Sequence, residues 1–241
     1  MSTNQLTHIT LTGVDEATDL AKLAELSTRF PLVEWGFLYS PTRQGKGGRY
    51  PSVATLQHAF STLPSIVRVA LHICGAGVPN LLAQDPEVKS LVDAIAARHG
   101  RVQLNFNQRR AKLDFNALRT LFAQYPTITF ITQHNSANET VWSALQSALN
   151  HAVLFDSSGG RGLECTEWSR PLSATVRCGY SGGLGPDNLT TELPRIQEAA
   201  GPQPYWTDKE GKLRTTDDVF DLQSAENCLK VIYAFQARTT L

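Results

Sequence analysis

Residues 181–188 read Ser-Gly-Gly-Leu-Gly-Pro-Asp-Asn, and this glycine-rich stretch decides how the rest of the chain is interpreted. It follows a run rich in β-forming residues at 175–180 and precedes an amphipathic stretch at 189–199. Glycines let the backbone turn tightly and approach a bound group, and Pro186 suits the first turn of a helix. The free N–H groups at such a helix start favour an anion such as phosphate, although a tight turn without a ligand fits the same residues.

A second glycine-rich stretch, Asp-Ser-Ser-Gly-Gly-Arg-Gly at 156–162, follows another apolar run at 151–155. Two such turns, each after a strand and roughly 25 residues apart, fit two neighbouring βα units that share a phosphate site. Counted from the first strand, they are loops 6 and 7. We therefore predict that a phosphate-type anion is held by Gly160, Arg161, Gly162, Gly182, Gly183 and Asn188.

Length and charge exclude several function classes. The 241 residues fit one α/β barrel, and the equal numbers of basic and acidic residues, 22 each, give no indication of nucleic acid or a membrane surface. No apolar stretch approaches the ~18 residues of a transmembrane helix. The polar N-terminus lacks a signal-peptide core, and the four cysteines are scattered. These features predict a cytoplasmic protein with reduced thiols and neither a disulfide framework nor a zinc site.

Short β-type runs alternate with helical patterns along the whole chain, which predicts parallel α/β organisation. Strands are predicted at 8–12, 33–39, 66–73, 102–106, 128–132, 152–155, 176–180 and, weakly, 204–207. Helices are predicted at 15–29, 52–63, 86–99, 113–125, 139–149, 189–199 and 225–236, with a short helical segment near 165–168. Eight units without a change of composition favour a single (β/α)8 TIM barrel spanning 1–241, and the alternative is an open doubly wound sheet.

Polar or ionisable residues cluster at the carboxyl-terminal ends of the predicted strands. They are Thr12, Ser40, His72, Cys74, Asn105, Asn107, 133–135, Asp156, Ser181 and Asp208. Because barrel enzymes carry their active sites at this end, we predict an active site there. A barrel that binds a sugar phosphate without turning it over is the non-catalytic alternative.

Several of these stretches resemble phosphoribosylanthranilate isomerase, an enzyme family of tryptophan biosynthesis. Residues 181–188 are similar to its A-G-G-L-x-P-x-N-V turn, and residues 154–168 are similar to its L-L-D…G-G-T-G-x-x-F-x-W segment. Residues 36–52 resemble its G-F-x-F-x-x-S-P-R-x-V-S, with an insertion between Pro41 and Arg49. Residues 11–17 resemble its I-C-G…D-A start, so the matched order spans most of the chain.

The resemblance implies a barrel of the ribulose-phosphate-binding type that catalyses an Amadori rearrangement of a phosphoribosylated amine. It assigns the general acid to Asp156. The family's general base, a cysteine on strand 1, is replaced here by Thr12, and its strand 8 serine-glycine turn is replaced by residues 209–211. We therefore expect an isomerase-like enzyme with its own phosphorylated substrate, distinct from the tryptophan enzyme.

An Amadori step needs an acid at the sugar ring oxygen and a base at the carbon next to the iminium. Asp156 suits the acid role, and a turn-capping role fits it as well. Cys74, His72 and His134 are the candidate bases, although each also fits a structural hydrogen bond. A cysteine would need a depressed pKa, whereas a histidine titrates near neutrality.

The remaining candidates are predicted to bind substrate. Arg49 and Arg43 suit a planar carboxylate by bidentate pairing. The other predicted contacts are Thr12, Asn105, Asn107 and Asp208. We expect no cofactor and no metal. The alternative is a metal-dependent epimerase, lyase or hydrolase in which a divalent ion is bound by His72, His134, Asp156 and Asp208. No H-x-H spacing supports that alternative. A homodimer is compatible with the sequence.

Overall fold

Eight parallel strands close into a barrel in chain order, β1 to β8, which confirms the predicted (β/α)8 architecture. The computed structural model describes residues 5–156 and 165–239. The strands are β1 Leu6–Val14, β2 Val33–Tyr39, β3 Arg68–Cys74, β4 Arg101–Asn105, β5 Thr129–His134, β6 His151–Asp156, β7 Arg177–Ser181 and β8 Tyr205–Lys209. Closure leaves no edge strand, so the polar strand ends meet around one rim.

The helices of the described residues follow the strands. They are α1 Leu20–Arg29, α2 Val53–Thr62, α3 Gly77–Leu82, α4 Pro86–Ala97, α5 Gln108–Ala111, α6 Phe115–Gln124, α7 Glu139–Leu145, α8 Leu189–Ala200 and α9 Leu222–Thr239, with a 3-10 helix at Gly211–Leu213. Local capping fixes several of their starts: Asp19, Ser52, Asp85 and Asp114 each accept a backbone N–H from the first turn. The start of α4 after Asp85 agrees with the predicted one, whereas α1 begins after Asp19, five residues later than predicted.

The predicted helical segment near 165–168 is wrong, since these residues form no helix. Trp168 is held individually instead. Its indole N–H donates to Glu192 at 2.8 Å, and its ring meets Tyr180 edge-on at 6.0 Å between centroids. The position of Trp168 is therefore determined by tertiary contacts with β7 and α8 and not by a local helical turn. Conversely, α3, α5 and the 3-10 helix are too short for apolar periodicity to predict.

Two apolar clusters fill the protein. The larger one lies between the barrel and the surrounding helices, and a small one, Ile131, Ala152, Leu154 and Trp206, is separate from it. The small cluster comes from alternate positions on β5, β6 and β8, which face the barrel interior. It fills the middle of the barrel beneath the carboxyl-terminal rim.

A buried ion pair lies at the amino-terminal end of the barrel. Nε of Arg101 donates to Oε2 of Glu34 at 2.8 Å, and the Thr10 hydroxyl donates to Oε1 of the same carboxylate at 3.0 Å. The Arg101 guanidinium carbon lies 4.7 Å from the Trp206 ring centroid. Together with the small apolar cluster, these side chains seal the barrel from this end, so a ligand approaches from the other.

Candidate active site

The carboxyl-terminal rim surrounds a cavity of about 400 Å³. Side chains and turns from six consecutive strands, β3 to β8, converge on it, together with the loop that follows β2. The lining residues are Arg49, His72, Gln103, Asn105, Gln133, Leu154, Asp156, 181–184 and 208–212. The predicted location of the site at this rim therefore coincides with a cavity that a small ligand can occupy.

Asp208 lines this cavity from the end of β8 and is almost completely buried, with 7% of its surface exposed. Its Oδ1 accepts a 2.7 Å hydrogen bond from the Thr12 hydroxyl on the neighbouring strand β1. Burial raises the pKa of Asp208 to about 6, and the Thr12 hydrogen bond opposes that rise. A carboxyl group with such a pKa can accept and release a proton near neutral pH.

Thr12 itself is fully buried behind Asp208 and is absent from the cavity lining. Gly36 on β2 makes room for it, because a Cβ at position 36 would lie 2.3 Å from the Thr12 hydroxyl oxygen. The strand 1 hydroxyl that stands in place of the family's cysteine thus contacts the Asp208 carboxylate. Its position suits orienting that carboxylate more than touching a substrate.

Asp156 is the second acid of the cavity. It ends β6, is 4% exposed, and its Oδ2 accepts a 2.7 Å hydrogen bond from the Gln133 side-chain amide on β5. Gln133 is buried as well, and Asn138 binds the Gln133 backbone carbonyl at 3.2 Å. The amide therefore fixes the orientation of the carboxyl group toward the cavity.

Glycine turns from two loops face the cavity on its β7–β8 side. Gly182 and Gly183 have φ of 142° and 61°, the left-handed range that favours glycine, and Gly211 starts the 3-10 helix after β8. Asn188 shapes the first turn, since its side chain accepts from the Gly185 N–H at 2.9 Å and donates to the Gly183 carbonyl at 3.0 Å. In barrels of this kind, the loops after strands 7 and 8 frequently form a phosphate site together with the start of a short extra helix.

The predicted phosphate residues Gly160, Arg161 and Gly162 lie outside the described residues. The predicted pairing of loop 7 with loop 6 therefore stays a prediction. Among the described residues, loop 7 lies beside Gly211 and Lys212 of loop 8 at the cavity. Lys212 also supplies a cation there, and its Nζ lies 2.8 Å from Asp187.

His72 and Asn105, two other predicted site residues, line the cavity from β3 and β4. His72 is 2% exposed, and burial lowers its pKa to about 4, so its imidazole is neutral at pH 7. Cys74 is absent from the lining, and burial raises the pKa of its thiol to about 11. A thiolate base would need the opposite shift.

The remaining candidates lie at the margin of this cavity or away from it. Arg49 lines it but is paired with Glu210 at 2.5 Å, and Arg43 stacks on the Tyr50 ring at 5.5 Å. Asn107 caps α5 through the Arg110 N–H. His134 lies in a separate cavity of about 300 Å³ beside Phe155 and Trp168, and burial lowers its pKa.

Gln103, Glu210 and Lys212 line the cavity, although the sequence did not assign them a site role, and Gln133 lines it at the predicted rim. Strand alternation could have found Gln103, since it lies two residues before Asn105 on the same strand and therefore shares its face. Glu210 and Lys212 were missed because strand 8 was predicted to end at 207, two residues before its observed end.

Within residues 5–156 and 165–239, no group of three or more His, Cys, Asp or Glu side chains is arranged to hold a metal ion. Over the same residues, no helix is long and apolar enough to cross a membrane. Of the four residues that the metal alternative requires, His134 lies in the separate cavity.

No protein-family model and no curated protein matches the sequence. Solved structures do match. Phosphoribosyl anthranilate isomerase from Thermotoga maritima is 19% identical with a TM-score of 0.61, covering 95% of this chain and all of that one. TrpF from Jonesia denitrificans is 14% identical with a TM-score of 0.59, covering 95% and 97%. A truncated 3-deoxy-D-arabino-heptulosonate 7-phosphate synthase from Thermotoga maritima is 11% identical with a TM-score of 0.55, covering 97% and 88%.

At these identities the likeness establishes the fold. The chain has a barrel fold similar to that of phosphoribosylanthranilate isomerase structures, as the resemblance of its glycine turns predicted.

Proposed function

We propose that the protein is an acid–base isomerase that acts on a phosphorylated sugar or phosphoribosyl-amine by an Amadori-type rearrangement, and that the tryptophan-pathway reaction is not its own. The observation that carries this proposal is the position of Asp156 and Asp208. Both are buried carboxyl groups on the wall of one cavity, whose β7–β8 side is formed by glycine turns.

The two carboxyl groups supply complementary proton transfers. Asp156 protonates the ring oxygen of the bound sugar, so the ring opens and the nitrogen lone pair forms an iminium. Asp208 then removes the proton from the adjacent carbon, and the electron pair of that C–H bond neutralises the iminium to give an enaminol. Tautomerisation of the enaminol yields the ketose product. With a pKa of about 6, Asp208 is ionised at neutral pH and is therefore ready to act as the base.

The phosphate is proposed to bind the backbone N–H groups of Gly182, Gly183 and Gly211, with Lys212 as the nearby cation. Gly160, Arg161 and Gly162 of loop 6 are proposed to bind the same phosphate. Backbone amides and one lysine can hold a dianion without a metal, since anion sites of this kind use fixed dipoles.

Hydrogen exchange at carbon tests the chemistry directly. Phosphorylated aldoses, ketoses and their amine derivatives are incubated with the protein in D₂O, and loss of a carbon-bound proton is followed by NMR. We expect exchange with at least one compound, and we expect Asp208→Asn to slow it by about 10²–10⁴-fold. Asp156→Asn should abolish net isomerisation while the protein remains folded. Undiminished exchange in Asp208→Asn, or undiminished turnover in Asp156→Asn, would contradict the assignment.

A single metal analysis of the purified active protein separates this proposal from a metal-dependent reaction. Activity that survives chelation and dialysis supports acid–base chemistry alone. We also propose a cytoplasmic location and a homodimer. The supporting observations are four free cysteines and a structural neighbour from Thermotoga maritima, which is described as monomers generated from a dimeric isomerase.

A further inference from the structure

We infer that the cavity is built for the neutral, hydroxyl-bearing chain of a phosphorylated sugar or polyol, and not for a substrate that carries an aryl carboxylate. The inference rests on the proposed function, which supplies the phosphate anchor. The inference specifies the class of chemical group that is bound by the cavity wall opposite the phosphate turns.

The wall that faces the phosphate turns is polar but uncharged. In a closed barrel of eight strands, β3 and β4 lie half-way round from β7 and β8. They contribute His72, Gln103 and Asn105 to the cavity. Amide and neutral imidazole groups each combine donors with acceptors, as sugar hydroxyls do, so the two sets can pair in several registers.

His72 is the most informative member of this wall. Its side chain is 2% exposed, and its Nε2 is buried with no hydrogen-bond partner among the described residues. Because burial keeps the ring neutral at pH 7, the imidazole offers one donor and one acceptor. A buried unpaired ring nitrogen is unfavourable, and a ligand hydroxyl at this wall would satisfy it.

The two amides are held in a fixed arrangement. Gln103 donates to the Asn105 side-chain carbonyl at 3.0 Å, and Asn105 donates to the Cys74 sulfur at 3.5 Å. Wall groups ordered before binding cost less entropy when a ligand arrives, which favours specific hydroxyl recognition.

The cations of the described lining residues are already engaged. Arg49, the residue best suited to a carboxylate, contacts Glu210 at 2.5 Å and Asp218 at 3.4 Å. The Lys209 Nζ donates to the Thr207 hydroxyl at 2.7 Å, and Lys212 lies on the phosphate side. A carboxylate on the substrate would have to displace Glu210 from Arg49, whereas a hydroxyl chain requires no such exchange.

Calorimetric titration with three probes tests the inference. The probes are inorganic phosphate, ribitol 5-phosphate, and the same alditol phosphate with a 2-carboxyphenylamino group at carbon 1. We expect ribitol 5-phosphate to bind at least about tenfold more tightly than either of the others, as one or two added hydrogen bonds would give. Tighter binding of the carboxyphenylamino compound would overturn the inference.

The His72→Asn variant locates the effect. It should weaken ribitol 5-phosphate by about 5- to 30-fold and leave inorganic phosphate unchanged. Gln103→Leu, of similar size, gives a second variant should His72→Asn fail to fold. His58→Asn, on the exposed face of α2, is the matched control and should behave as the wild type. If the wild type binds inorganic phosphate and the folded variants bind ribitol 5-phosphate as tightly as the wild type does, the inference is overturned and the proposed function is not. Absence of phosphate binding to the wild type would instead refute the proposed function, and the inference with it.

Discussion

The Thr12 hydroxyl donates a 2.7 Å hydrogen bond to Oδ1 of Asp208, joining the ends of the first and last strands where the barrel closes. Both side chains are buried, and only Asp208 lines the cavity. In the proposed reaction the proton-accepting group at this place is the carboxylate on β8, and the hydroxyl on β1 orients that carboxylate and lowers its pKa. The proposal that Asp208 is the base accounts for a threonine at the strand 1 position.

Replacing Thr12 with valine should shift the pH dependence of activity. Valine keeps the volume of threonine but loses the hydroxyl that lowers the pKa of Asp208, so that pKa rises above about 6. A base works only when deprotonated. The acidic limb of the pH–rate profile should therefore move to higher pH in Thr12→Val, as measured by hydrogen exchange in D₂O.

Thr10→Val is the matched control, since Thr10 lies on the same strand and donates to Glu34. It should leave the acidic limb in place. A limb that stays fixed in Thr12→Val, or moves to lower pH, would contradict the role given to the hydrogen bond.

Replacing Asp208 with asparagine should stabilise the protein at pH 7.5 by on the order of 2 kcal/mol while removing activity. The pKa of Asp208 is raised on folding, so the folded state binds more protons than the unfolded state between about pH 4 and 6. Wild-type stability is consequently lost as pH rises through this window, and a neutral amide avoids that loss.

Urea denaturation at pH 7.5 and pH 4 measures this effect. The stability gap between Asp208→Asn and the wild type should be large at pH 7.5 and nearly closed at pH 4, where the wild-type carboxyl is protonated in the folded state and about half protonated in the unfolded state. An equal gap at both pH values would show that packing, and not ionisation, distinguishes the two proteins.

Acid should destabilise the protein through its buried histidines. Burial lowers the pKa values of His8, His72 and His151 to about 4, whereas in the unfolded chain they lie near 6.5. The unfolded state therefore binds more protons between about pH 6.5 and 4, and the free energy of unfolding should fall as pH falls through this window. The raised pKa of Asp208 makes the free energy of unfolding increase as pH falls, but this single group opposes three histidines.

His151→Gln should flatten this pH dependence. The His151 ring stacks with Trp142 at 5.8 Å, and its Nε2 lies 2.8 Å from the Thr132 hydroxyl, so the variant also loses packing at pH 7. The slope of unfolding free energy against pH carries the test, because a packing loss is independent of pH. His58→Asn, at an exposed position, should keep the wild-type slope.

The sequence was sufficient for the barrel because its signals are local. Each strand is a short apolar run, and the long helices carry caps such as Asp19 and Asp85 that fix their starts. The rim followed from the same pattern, since every parallel strand delivers its carboxyl end to one face. His72, Asn105, Asp156 and Asp208 were thus assigned to the rim, and all four line the cavity.

The pairing of side chains within that rim is not local and could not be predicted. Thr12 and Asp208 are 196 residues apart. The His134 side chain lines the second cavity, whereas Asp156 lines the main one. Burial likewise decided that Cys74 has a raised pKa. These outcomes depend on register and strand twist, which no single stretch of sequence encodes.

Restoring a cysteine on strand 1 should not restore tryptophan-pathway isomerase activity. Position 12 is fully buried behind Asp208, whose carboxylate lies within hydrogen-bond distance of the side chain there. A thiolate at that place would face a neighbouring negative charge in a site poor in water, and both effects raise its pKa. If the inferred preference is correct, the cavity wall of His72, Gln103 and Asn105 would also still favour hydroxyl groups over an aryl carboxylate.

Complementation measures this outcome. A strain that lacks the tryptophan-pathway isomerase is supplied with the wild-type gene, with Thr12→Cys, and with the double variant Thr12→Cys/Asp208→Asn, in which the repelling charge is removed. We expect no growth without tryptophan in the first two cases. Growth only with the double variant would show that the neighbouring charge alone blocked the thiolate. Growth with Thr12→Cys would contradict the prediction, and it would mean that the cavity accepts the tryptophan intermediate and lacked nothing but a cysteine base.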